Sequence, residues 1–149
     1  MIAEKPFVYL NRESVRTIHD LLSRWAKDQG EPIPSFGFAK DGDLEALIAA
    51  PQHQFFGTEA YPTVAEKAAI IFYTVNKRQI FVNGNKRMST LCMLVFLAIN
   101  GKGLSAPSDE LTTKALWLAN TASLDFPKIK KELADWISGH LVDVPMQEH

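Results

Sequence analysis

Apolar residues recur every three or four positions along most of the chain, the spacing of one buried face on an α-helix. Between Arg12 and Lys27, Val15, Ile18, Leu22 and Trp25 share such a face, and Asn11 is placed to cap it. Leu44 to Ala50 reads as a short helix capped by Asp43. Thr63-Val-Ala-Glu66 is a capping box, so a helix is expected over Val64–Asn76, burying Ala65, Ala68, Ala69, Phe72 and Val75. From Met88 to Ile99 nearly every position is apolar, which predicts a helix buried on all sides at the centre of the core. It should stop at Asn100-Gly101, a pair that tolerates left-handed backbone. Two further helices follow: Asp109–Ala119, capped by Ser108 with Leu111, Ala115, Leu116 and Leu118 inward, and Pro127–Ser138, with Ile129, Leu133, Trp136 and Ile137 inward and Gly139 at its end.

Strand patterning is scarce. Phe7-Val-Tyr-Leu10 reads as a short edge strand or an extended lead-in. Residues 28–42 carry Gly30, Pro32, Pro34, Gly37 and Gly42 and form a loop. Residues 51–62 form a second loop or a small hairpin. There Phe55 and Phe56 precede Gly57; they either tuck into the core or belong to a flap that recognises a partner. Residues 143–149 should fray. The expected architecture is all-α: one domain over 1–149, its core at about 8–138, with five helices around the central one.

Composition narrows the function. The formal net charge of −1 gives no general electrostatic grip on nucleic acid or membrane, so direct nucleic-acid binding is not expected. No apolar run follows a basic start at Met1-Ile-Ala-Glu-Lys-Pro6, so no signal peptide is expected, and the central apolar stretch is too short to span a bilayer. The single cysteine, Cys92, excludes an internal disulfide framework and suits a reducing cytoplasm.

Candidate chemistry gathers where the central helix begins. Asn83, Gly84, Asn85, Lys86 and Arg87 precede its apolar stretch. The first N–H groups of a helix lack intrahelical partners, and the helix dipole adds positive potential. Gly84 would admit an anion close to the backbone. Lys86 and Arg87 add full charges, and a guanidinium can clamp a phosphate with two parallel bonds. Together these make a phosphate cradle. The plain alternative is an ordinary Asn-Gly turn and a solvated first helical turn. His19, beside Ile18 on the first helix, fits a structural role better than a catalytic one. His53, in the 51–62 loop, is a weak candidate for chemistry.

Three blocks carry a resemblance: Leu44-Glu-Ala-Leu47 with Pro51-Gln52; Phe55-Phe-Gly-Thr-Glu-Ala-Tyr-Pro62 with Glu66-Lys-Ala-Ala69; and Phe81-Val-Asn-Gly-Asn-Lys-Arg87 leading to Phe96-Leu-Ala-Ile-Asn-Gly101. Together, over roughly residues 8–138, the chain resembles the Fic/Doc family, in particular its Doc-like (death-on-curing) branch. The resemblance implies a Fic-fold helical domain with a short flap hairpin or loop. It further implies a transferase, a protein kinase or an AMPylation enzyme, moving a phosphoryl or nucleotidyl group from ATP or another nucleoside triphosphate, with Mg²⁺, to a target-protein hydroxyl. Phe81 would be the core anchor. Gly84 and Asn85, with the following backbone, would form the anion hole, and Arg87 would contact phosphate. Residues 51–62, with His53, Phe55, Phe56 and Gly57, would be the flap that pairs with the target segment. Lys86 is the Doc-like choice, and Thr90 stands where AMP-transferring members carry a second arginine. Both lean towards phosphoryl transfer.

The family motif begins His-x-Phe-x-(Asp or Glu)-Gly-Asn, and the chain departs from it twice. Gln79 stands in place of the histidine that takes the proton from the attacking hydroxyl, and Asn83 in place of the acidic metal ligand. A carboxamide is no base near neutral pH; losing a general base costs about 10²- to 10⁴-fold in rate. Asn83 offers Mg²⁺ only a neutral oxygen. Gln79 is thus an engineered inactivating change, a natural degeneration, or a loss covered by His53. Impaired catalysis is expected in the first two cases. No stretch matches the inhibitory motif Ser/Thr-x-x-x-Glu-Gly/Asn, so restraint would need a separate antitoxin chain. The Doc branch acts on a translation elongation factor. The other reading of the chain is a catalytically inactive Fic-fold module that binds a nucleotide or a protein.

Overall fold

The computed structural model describes residues 6–30, 42–81, 84–121 and 125–145. Six helices make up its frame: α1 (Arg12–Asp28), α2 (Asp43–Ala49), α3 (Val64–Arg78), α4 (Asn85–Ile99), α5 (Ser108–Ala119) and α6 (Phe126–His140). Two small antiparallel hairpins accompany them. β1 (Gln54–Phe55) pairs with β2 (Thr58–Glu59), and β3 (Lys102–Leu104) pairs with β4 (Leu141–Asp143). The fold is all-α, as the periodicity implies.

The helix starts follow from local chemistry. Asn11 accepts from the Ser14 backbone N–H at 2.9 Å, and Ser14 Oγ accepts from the Asn11 N–H at 2.8 Å, closing α1 with a reciprocal box. Thr63 accepts from the Glu66 N–H at 3.1 Å and starts α3. Asp43 does not cap α2. Gly42, at φ +83°, holds the cap position, and Asp43 is the first helical residue, buried and paired with Arg78 at 3.5 Å.

The centre of the core is an α3–α4 pair. Ten of the fifteen residues of α3 are buried, against six of fifteen in α4. The expectation that α4 is buried all round is therefore corrected. Ala98 is exposed, and Leu91, Leu94, Val95 and Ile99 are only partly covered. α3 is covered by α4 on one side and by α5 and α6 on others; α1 and α5 pack on α4.

Other boundaries differ from the expected ones. Trp25 and Leu116, assigned to buried faces, are exposed; Ala26 takes the inward place at the end of α1. α6 runs on through Gly139 to His140. Residues 7–10 form an extended lead-in, pinned where the Asn100 carboxamide accepts from the Val8 N–H and donates to the Val8 carbonyl, each at 2.9 Å. Gly101, at φ +77°, turns the chain from α4 into β3. Fraying does not begin at residue 143. Asp143 lies opposite Lys102 in β4, and the Val144 N–H donates to the Gly101 carbonyl at 3.0 Å. Most of the loop expected over 28–42 lies outside the described residues.

Candidate functional site

The sequence that ends α3 also builds the site. Gln79 follows the helix in left-handed backbone (φ 48°, ψ 57°) with its side chain exposed. A non-glycine residue held there stores about 1–3 kcal/mol of strain, a cost that clusters at functional positions. The next two residues anchor the turn, since Ile80 and Phe81 are buried in the core. Phe81 is the anchor expected of it. Its ring stacks on His19 at 5.9 Å, placing that buried histidine beneath the loop. Burial lowers the His19 pKa from its ordinary value, against a smaller opposing pull from Asp20, so the ring favours the neutral form.

The loop closes through Asn85. Its Oδ1 accepts from the Phe81 N–H at 2.9 Å, and its Nδ2 donates to the Phe81 carbonyl at 2.8 Å. The Asn85 side chain is thus engaged with Phe81, which leaves only its backbone N–H to face any ligand at the start of α4. Gly84, at φ +78°, occupies the cap position of α4 and leaves the helix without a side-chain cap. No acidic residue stands in the first turn, while Lys86 and Arg87 are exposed there. Ser89 and Thr90 do not fill the gap; both hydroxyls donate back to the Lys86 carbonyl, at 2.7 and 3.3 Å. The result, among the described residues, is a helix N-terminus without a side-chain cap, positive by dipole and by side chain.

Arg87 lies over the Trp25 ring at 4.9 Å. Trp25, Leu21, Leu94, Leu111 and Leu116 line an open groove of about 720 Å³ between α1, α4 and α5, with Lys86 and Arg87 at its edge. Helical periodicity assigns Trp25 to the buried face of α1, whereas its ring is exposed in this groove.

Residues 53–60 form a hairpin with Gln54 opposite Glu59 and Phe55 opposite Thr58. Phe56 and Gly57 both have positive φ (52° and 81°), the pattern of a two-residue primed turn that matches strand twist. Phe55 and Phe56 do not enter the core: Phe56 is 107% exposed and Phe55 60%. The His53 and Phe55 rings pack edge to face with centroids 4.7 Å apart, and the His53 carbonyl accepts from the Ala60 N–H at 2.9 Å.

Asn83 lies outside the described residues. Among the described residues, no three His, Cys, Asp or Glu side chains converge as metal ligands. Among the described residues, the first turn of α4 offers Mg²⁺ no carboxylate ligand. No described helix is long and apolar enough to cross a membrane.

Comparison of the sequence with known proteins identifies its relatives. The model of the Fic/DOC family matches residues 9–97. A protein named Toxin Doc from Mycolicibacterium smegmatis is 36% identical over 96 residues, covering 62% of this chain and 72% of that protein.

Proposed function

The chain belongs to the Fic/DOC family, and from that premise we propose that it is a Doc-like toxin of a toxin–antitoxin pair. Its scaffold would move a phosphoryl or nucleotidyl group from a nucleoside triphosphate, ATP first, to a hydroxyl of a target protein in the cytoplasm. The observation that carries this reading is the uncapped, glycine-entered N-terminus of α4, with Lys86 and Arg87 beside it.

In this reading the backbone N–H groups at the start of α4 hold the phosphates, and Arg87 and Lys86 neutralise them. Mg²⁺ would arrive on the triphosphate, with Asn83 as a neutral neighbour. The flap presents Phe55 and Phe56 to a target segment that pairs along it as an added strand. The target hydroxyl then needs a proton acceptor at position 79. Gln79 can orient the hydroxyl through a hydrogen bond but cannot take the proton, so transfer is slow in the chain as it stands. Lys86, and Thr90 in place of a second arginine, favour phosphoryl transfer over AMP transfer. A translation factor is the target class that the Doc likeness suggests, and a separate antitoxin chain supplies the restraint.

Gln79 and Asn83 favour a second reading, a catalytically inactive module that binds nucleotide or protein without turnover. Calorimetry with ATP and Mg²⁺ tests the element common to both. Binding should weaken by about tenfold or more in Arg87→Ala, as expected for loss of hydrogen bonds to a charged group. Absence of binding, or equal binding by Arg87→Ala, would leave α4 as an ordinary helix start.

A further inference from the structure

Lys67 lies on α3 and is fully buried, with 0% exposure, among the apolar residues of the core. A buried ammonium is costly unless paired and hydrogen-bonded. Its Nζ donates to the Pro51 carbonyl at 2.9 Å and to Glu59 Oε1 at 3.1 Å. Pro51 stands just before the flap hairpin, and Glu59 ends its second strand. The cation therefore holds both legs of the flap from below. The faces of Phe7 and Tyr9, at 5.0 and 5.4 Å, cover it. Those rings are fixed in turn: Tyr9 stacks on Phe96 of α4 at 6.2 Å, and Asn100 clamps Val8.

The flap needs such a hold. All four strand residues of β1 and β2 are exposed, and an isolated two-stranded hairpin is marginal in water. Core stability alone does not call for a lysine, since an apolar side chain of similar volume is often as stable or better than a buried ion pair. What an apolar side chain cannot do is bond the two legs of a hairpin at a fixed separation.

We propose that Lys67 is the positioning residue of the flap: it bridges Pro51 and Glu59, and so sets where the strand that receives a target lies relative to the α4 cradle. The functional part of this rests on the flap reading given above; the anchoring part does not.

Hydrogen exchange on the full chain tests it, with Lys67→Met and Glu59→Ala. In Glu59→Ala the Lys67 ammonium keeps its bond to the Pro51 carbonyl and water can reach it through the half-exposed Glu59 position, so this variant tests the bridge where Lys67→Met does not fold. In Lys67→Met, the Ala60 amide and the β1–β2 amides should exchange about tenfold faster or more, the effect of losing a charge-assisted bond. In α3 and α4 protection should hold. Glu59→Ala should loosen β2 and the turn while the His53 amide stays protected through the retained Pro51 contact. ATP affinity should not move in either variant. Unchanged flap exchange, or equal loss of protection across α3 and α4, would overturn the proposal. If the unaltered chain binds no ATP while the flap alone loosens, the anchoring stands and the nucleotide reading fails.

Discussion

The Asn85 carboxamide accepts from the Phe81 N–H and donates to the Phe81 carbonyl, at 2.9 and 2.8 Å, and so locks the loop that carries Gly84 into α4. The bonds need one acceptor and one donor on the same side chain. Asn85→Asp keeps the acceptor and loses the donor, leaving the Phe81 carbonyl facing a carboxylate. We expect Asn85→Asp and Asn85→Ala each to cost about 1–3 kcal/mol, the penalty for unsatisfied part-buried polar groups. Urea unfolding midpoints at unchanged slope check this; an unchanged midpoint would remove Asn85 from the loop's support.

Phe56 sets function against stability. An aromatic residue at φ +52° is strained, and its ring packs on nothing that would repay the cost. Phe56→Gly should raise stability by about 0.5–1 kcal/mol, since glycine visits this region freely. The same change should weaken capture of the target, because the exposed ring is gone. Thermal melts measure the first effect. Target labelling by Gln79→His protein, with and without Phe56→Gly, measures the second. A stability loss in Phe56→Gly would mean that the ring has an unrecognised structural role.

His19 gives a pH dependence of known sign. Its folded pKa lies below the ordinary 6.5, so on acidification the unfolded chain takes up its proton first. Stability contributed by the neutral ring is present above pH 6.5 and falls as pH drops through that value towards the folded pKa. Melting temperatures between pH 7.5 and 5.5 should decline, and His19→Asn should flatten that part of the decline. An equal slope in His19→Asn would assign the effect to other groups.

Cys92 should be inert while the chain is folded. It is fully buried on α4, and burial pushes its thiol up to about 12. Thiol reagents at neutral pH should label it only as fast as the chain opens, with full labelling in urea. Rapid labelling under native conditions would show that α4 opens locally.

Much of this was legible in the sequence. Asn11 and Thr63 fix two helix starts through side-chain bonds made within a single turn, which the order of residues alone determines. The motif around Phe81 and Gly84 was likewise local. What escaped depends on neighbours distant in the chain. Periodicity gives the side of the helix on which Trp25 and Leu116 lie, but not that the groove between α1, α4 and α5 leaves that side open. Lys67 is not among the inward positions that periodicity picks out in α3, and it is buried because the hairpin folds over it. Gly139 carries no helix-stopping geometry of its own, and α6 continues through it to reach β4. The β3–β4 pair joins segments from opposite ends of the second half, beyond the reach of any local pattern.

In the proposed reaction, position 79 is where the target's proton should go. The direct measurement is transfer of label from ATP, marked at the γ- or the α-phosphate, to protein in a bacterial extract, by the chain as it stands and by Gln79→His. Gln79→His should transfer about 10²- to 10⁴-fold faster, as expected for a restored general base, with the γ label moving. Movement of the α label would replace phosphoryl by nucleotidyl transfer on the same site. Equal transfer by both proteins, or none by either, would contradict the role given to position 79.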